Sequence, residues 1–104
     1  MKVQIEGHRY ELSNFENKDC EGQILQFIQK EPKEVGSTEL VTISDGTTNE
    51  EVLEVIINRM QSLQSKFPCR ENSIVITNLE ESLMWLNKRT SDRVKRQVEG
   101  KQIA

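Results

Sequence analysis

The chain reads as an α+β fold, a small N-terminal antiparallel β-sheet followed by a long antiparallel helical hairpin. Three observations carry this reading. Short apolar stretches broken by turn residues occupy 1–46, and apolar residues at steps of three and four follow from 47 onward. A single elbow, Phe67-Pro68-Cys69, then divides that second stretch in two. At 104 residues the chain is near the common size of one domain, so 1–46 and 47–104 are expected to be its β-rich part and its helical hairpin with a basic tail.

In the first part, Val3, Ile5, Tyr10 and Leu12 flank Glu6-Gly7-His8-Arg9, a glycine-containing hairpin signal. Asn14 to Glu21 is polar and turn-like, and Gln23 to Ile28 has the pattern of a half-buried strand. Glu31 to Ser37 holds Pro32 and Gly36 and reads as loop, whereas Leu40-Val41-Thr42-Ile43 is a further strand ended by Ser44-Asp45-Gly46. One sheet of three or four strands is expected.

The helical part opens on Thr47-Thr48-Asn49-Glu50-Glu51, a capping box in either of two registers, with acidic residues suited to the positive end of the helix dipole. Val52, Ile56, Met60, Leu63 and Phe67 form an apolar stripe that Leu53 and Ile57 broaden. Pro68 ends this helix. From about Arg70, Ile76, Leu79, Leu83 and Leu86 repeat the spacing, with Val75, Ser82 and Trp85 beside it. Each helix is expected to run about 18 residues, roughly 27 Å. A short elbow makes them antiparallel neighbours. Two helices leave their outer sides open, so Ile57, Ile74, Val75 and Trp85 require further cover, from the sheet or from a second copy of the chain. At least a dimer is expected.

Composition restricts the function classes. Net charge is −3, but residues 88–104 carry six cations (Lys88, Arg89, Arg93, Lys95, Arg96, Lys101) against Asp92 and Glu99, a balance of +4 that leaves −7 for residues 1–87. An acidic body with one basic end argues against duplex nucleic-acid binding and remains compatible with a small phosphate-bearing ligand. No apolar run approaches the roughly 20 residues that span a bilayer. The start of the chain lacks the apolar stretch of a signal peptide, so a cytosolic protein is expected. Cys20 and Cys69, isolated in sequence, are expected to be reduced thiols.

No catalytic constellation is visible. His8 is the single histidine and sits in a hairpin turn without an orienting partner. Glu80 and Glu81 are adjacent, so on a helix they diverge by about 100° and do not face one site. Metal-ligand spacings and glycine-rich phosphate loops are absent. Neither a metal nor a cofactor is expected. The candidate binding residues lie at the elbow and the basic end. Phe67 is either a hydrophobic plug or an exposed aromatic platform at the mouth of the second helix, whose first amides favour anions. Arg70 beside it adds a planar fork suited to phosphate. Trp85 is read as core or interface, with a ligand platform as the alternative. Arg93-Val94-Lys95-Arg96 lies far from the elbow of its own subunit, so a site using both ends must form between protomers.

Phe67-Pro68-Cys69-Arg70-Glu71-Asn72-Ser73-Ile74-Val75-Ile76-Thr77, continued by Leu79 through Thr90, resembles the signature hairpin of the phage anti-Thoeris sponge proteins (Thoeris anti-defence, first type). Gly46 to Glu51, Asp92-Arg93 and Val98-Glu99-Gly100 are similar as well, and the resemblance covers most of the chain. It departs at Gln97, where the pattern has Gly, and in the short end Lys101-Gln102-Ile103-Ala104. More loosely, the hairpin is similar to that of anti-CBASS sponges, which trap cyclic oligonucleotides. The resemblance implies a non-enzymatic protein acting in the cytoplasm of the infected bacterium. Such a protein binds glycocyclic ADP-ribose (gcADPR), the signal that a TIR-domain protein makes from NAD, in recesses between the subunits of a dimer or hexamer. On this reading Phe67 stacks the adenine, and Arg70 and Asn72 bind its edge or the adjoining phosphate. Arg93 and Arg96 of a partner subunit hold the pyrophosphate, with Arg89 in support. Asn58, Arg59 and Gln61 are the candidates for a second site taking cyclic di- or trinucleotides. Two rivals are a phosphodiesterase, which needs a base or metal that the residues do not supply, and a protein-binding inhibitor of a host factor that acts through the hairpin.

Overall fold

The computed structural model describes residues 1–96 and divides the chain into two compact units, Met1–Thr48 and the part from Asn49 onward. Gln97, Val98-Glu99-Gly100 and the terminal Lys101 to Ala104, on which part of the resemblance rests, lie outside the described residues. The architecture is α+β, as the sequence predicts: five strands in two small antiparallel sheets precede two helices that form a hairpin.

In the first unit, β1 (Lys2–Ile5) pairs with β2 (Arg9–Leu12), and β2 with β3 (Gln23–Gln26). The turn between β1 and β2 closes with the His8 amide donating to the Ile5 carbonyl at 2.9 Å, and Gly7 takes φ of 78°, a region open to glycine at no steric cost. Val3, Tyr10 and Leu25 stand in register across the three strands, and Tyr10 meets Phe27 edge to face with ring centroids 6.0 Å apart.

The expected single sheet is instead two. At Phe27 and Ile28 the chain changes partners: the Phe27 amide donates to the His8 carbonyl at 2.7 Å, and the Ile28 amide donates to Thr47 at 2.9 Å. Beyond this point β4 (Gln29–Pro32) pairs only with β5 (Leu40–Ser44). Part of β4 falls where the sequence reads as loop. Gln29-Lys30-Glu31-Pro32 offers no apolar alternation, so its strand character comes from backbone pairing alone, and Pro32 is tolerated at the strand's end.

The second unit consists of α1 (Asn49–Lys66) and α2 (Arg70–Lys95). α1 begins at Asn49, directly after the two threonines of the expected capping box, and carries Glu50 and Glu51 in its first turn. The Thr47 amide donates to the Gln26 carbonyl at 2.9 Å. The stripe that turns inward is Leu53, Ile57, Met60 and Leu63; Ile57 is 9% exposed, so it finds its cover within the chain. Phe67, expected to continue the stripe, is 80% exposed.

The second helix is longer than expected, 26 residues against the 18 of α1, so its last two turns run about 12 Å further. Lys88, Arg89, Arg93 and Lys95, taken for part of a basic tail after the helix, are therefore helical. On α2 the less exposed positions, Asp92 apart, are Asn72, Ile76, Leu79, Leu83, Leu86, Thr90 and Arg93, alternating steps of four and three. Arg93 thus continues an inward stripe and is only 5% exposed. Ile56, Ile74, Val75, Met84, Trp85 and Val94 remain exposed apolar residues of the hairpin.

Candidate functional site

The elbow is held by a residue that the apolar pattern does not single out. Gln64, on the last turn of α1, accepts from the Cys69 amide at 3.0 Å and donates to the Cys69 carbonyl at 3.0 Å and to Ser73 Oγ at 2.6 Å. One amide side chain thereby ties the end of α1 to the first turn of α2. Cys69 itself caps α2, its Sγ accepting from the Asn72 amide at 3.4 Å. Both Cys69 and Cys20 are free, exposed thiols. Replacing Gln64 with Ala is expected to lower stability by about 1–2 kcal/mol, because three hydrogen bonds are lost together at an exposed turn. The midpoint of chemical denaturation, followed by helical circular dichroism, measures it.

Around the elbow the candidate residues separate. Arg70 lines a shallow hollow of about 220 Å³ with Ser73, Ile74, Thr77 and Asn78. Asn72 falls on the inward stripe, about 200° around the helix from Arg70. Phe67 is an exposed platform, not a plug, in this chain.

The basic end is where the structure gathers residues. A groove of about 550 Å³ is lined, among the described residues, by Trp85, Lys88, Arg89, Asp92, Arg93, Lys95 and Arg96. Helical spacing explains the arrangement. Trp85, Arg89, Asp92 and Arg96 lie four, three and four residues apart and so form one line along α2, with Lys88 and Lys95 to one side and Arg93 to the other. Trp85 is 57% exposed, so its indole is not core in this chain. The three arginines proposed for the pyrophosphate are thus brought to one groove. Arg70 lies 23 residues earlier on the same helix, about 35 Å away, so one subunit does not bring the two ends together.

The electrostatics of this groove are strongly one-sided. Asp92 is its single carboxylate among the described residues, and the Lys88 ammonium donates to Asp92 Oδ2 at 2.8 Å. That hydrogen bond, opposed by burial and helped by the charges of Lys88, Lys95 and Arg96, holds the Asp92 carboxyl below its ordinary value of 3.8. A depressed carboxyl contributes stability above its unfolded value and loses it as pH falls through the folded one. The pair is therefore expected to be intact down to about pH 4 and lost only in stronger acid. Carboxyl-detected NMR titration of Asp92 should show an upward shift toward the ordinary value in Lys88→Gln.

Asn58 and Gln61, two of the second-site candidates, line another groove of about 550 Å³ between α1 and α2, together with Glu54, Ile57, Glu80, Leu83, Met84 and Asn87. Arg59 does not line it, since neighbouring residues on a helix face about 100° apart. The charged groups there are the two glutamates, which oppose an anionic ligand.

Among the described residues no helix is long and apolar enough to cross a membrane, and no group of His, Cys, Asp and Glu has the arrangement of a metal site. The length of α2 had a signal in the sequence. Between Arg70 and Lys95 there is no glycine or proline, so nothing in the sequence ends the helix at the last leucine.

The fold and the gathered cations define a class, a helical-hairpin module with a cationic end. Residues 18–91 match the family model for the Acb2/Tad1 hairpin domain, and the chain belongs to that family. A relative from Bacillus phage SBSphiJ7, Thoeris anti-defense 1, is 53% identical over 58 residues, which make up 55% of this chain and 41% of the relative. The matched part is thus less than half of that relative's length. The resemblance to anti-Thoeris proteins is borne out at the level of the family.

Proposed function

We propose that this protein is a non-enzymatic sponge that binds glycocyclic ADP-ribose in the cytoplasm of an infected bacterium and withholds it from the Thoeris effector. The observation that carries the reading is the groove of Trp85, Arg89, Arg93 and Arg96 on one face of α2, in a chain whose relative is a Thoeris anti-defense protein. The ligand has an adenine face and a pyrophosphate of about two negative charges. An aromatic face suits the first and guanidinium forks suit the second.

The complete site is composite. The groove of one subunit supplies the pyrophosphate contacts through Arg89, Arg93 and Arg96, with Trp85 as an aromatic face beside them, and the elbow of a neighbour supplies Phe67 and Arg70 around the adenine. The exposed Phe67 and the roughly 35 Å between the ends of α2 both favour a homo-oligomer, a dimer or hexamer, over a lone chain. The exposed Ile74, Val75 and Met84 supply apolar surface for the contact. A second site for cyclic oligonucleotides at Asn58 and Gln61 would need cations from a neighbouring subunit to offset Glu54 and Glu80.

A sponge must outcompete a receptor, which calls for nanomolar affinity, about −12 kcal/mol. The test is calorimetric titration with a glycocyclic ADP-ribose isomer, then heat denaturation and chromatography of the released ligand. Tight binding with the ligand recovered intact is the expected result. Cleaved ligand would replace the sponge by an enzyme, and absence of binding would remove this ligand altogether.

A further inference from the structure

Asp92 meets two cations in the favourable order, Lys95 and Arg96 three and four residues on, yet other rules of helix stability count against it. Aspartate is among the weaker helix formers. It lies in the last turns of α2, where the dipole favours cations, and four residues before the C-cap Arg96. Its partner Lys88 precedes it, and the Lys-to-acid order is the less favourable one for an i, i+4 pair. For a groove that had only to hold phosphate, a carboxylate on the line between Arg89 and Arg96 would be a defect, because it repels the anion that the flanking cations attract.

The geometry gives that carboxylate a use. Lys88 engages Oδ2 at 2.8 Å, while Oδ1 has no partner among the described residues. The ion pair, half-exposed, engages one oxygen and leaves the other as an acceptor without a proton to donate. Of the polar groups on a sugar diphosphate, an ionised carboxylate can accept only from a donor, and the hydroxyls are the donors next to the phosphates.

Building on the sponge reading above, we propose that Asp92 is a specificity-determining residue whose Oδ1 accepts a hydrogen bond from a sugar hydroxyl of the bound ligand, so that the groove selects a ribosyl diphosphate over a bare phosphate anion. Lys88 is the positioning residue that holds Asp92 in place. The cations supply affinity for any diphosphate, and Asp92 lowers that affinity unless the ligand presents a hydroxyl to it.

The test compares two probes, a glycocyclic ADP-ribose isomer and inorganic pyrophosphate, titrated calorimetrically into the wild-type protein and into Asp92→Ala and Asp92→Asn. Removing a hydrogen bond to a charged acceptor is expected to weaken the cyclic isomer about tenfold in Asp92→Ala. The same change, by removing a repelling charge, is expected to tighten pyrophosphate severalfold in both variants. Movement of both probes in one direction, or of neither, would overturn the assignment. Lys88→Gln, which removes a cation and keeps the acid, is expected to weaken both probes. An opposed shift in Lys88→Gln would trace the effect to the ion pair and likewise overturn it. Failure of the wild-type protein to bind the cyclic isomer overturns the sponge reading together with this one. Wild-type binding with an unchanged ratio of the two affinities in the variants overturns the role of Asp92 alone.

Discussion

Replacing Arg89 and Arg96 together with Ala is expected to weaken binding of a glycocyclic ADP-ribose isomer by about 3–6 kcal/mol while leaving the hairpin helical and its oligomeric state unchanged. The size follows from charge-assisted hydrogen bonds to phosphate, about 1.5–3 kcal/mol each. These two residues are the informative pair because both are exposed on the line that Trp85 begins. Arg93 is a poorer choice. It is buried on the inward stripe, and truncating it is expected to lower stability as well as affinity, which confounds the two. Lysine at positions 89 and 96 should restore only part of the affinity, because an ammonium lacks the planar fork. Trp85→Ala is expected to cost less, about 1–3 kcal/mol of stacking, with no more than a minor change in folding stability for so exposed an indole. Calorimetry paired with sedimentation measures all of these. Undiminished affinity in the double arginine variant would remove the groove as the binding site.

Gly22→Ala is expected to disrupt the first unit, by about 3 kcal/mol. A Cβ at position 22 would fall on the Leu12 backbone carbonyl, with the Ser13 Cα only 3.3 Å away. Leu12 and Gln23 are register partners where β2 meets β3, so backbone, not a flexible side chain, would have to move. Because the chain folds as two compact units, the loss should be local. Hydrogen exchange is the direct measurement. The amides of β2 and β3 should lose protection by roughly two orders of magnitude for such a change, while those of α1 and α2 keep theirs. Equal loss of protection in both units would show that they fold as one.

The degree to which each element was legible follows from what stabilises it. The β1–β2 hairpin announces itself through Gly7 and alternating apolar residues, and both helices through stripes whose spacing matches their period. In contrast, β4 was obscure because Gln29-Lys30-Glu31-Pro32 buries nothing and is a strand only through its partner β5. The far end of α2 was obscure for a related reason. The stripe continues through Thr90 and Arg93, residue types that carry no apolar signal although they occupy inward positions. Gln64 was invisible because its three bonds join groups five and nine residues away around a turn whose geometry the sequence does not state.

What the sequence by itself determined is the order and kind of the elements, the site of the elbow and the concentration of positive charge at one end. These depend on local period, on Pro68 and on composition, which are properties of neighbouring residues. Only the tertiary structure decided which side chains share a surface. It split one expected sheet into two by redirecting Phe27 and Ile28, drove Arg93 inward, left Phe67 and Trp85 exposed, and set Asp92 among the arginines. The physical reason is that helix length and strand partner are set by packing and hydrogen bonding between distant segments. Continuing the helix past Leu86 puts residues three and four apart on one face, which makes a line of Trp85, Arg89, Asp92 and Arg96 out of what sequence reads as a helix end and a tail.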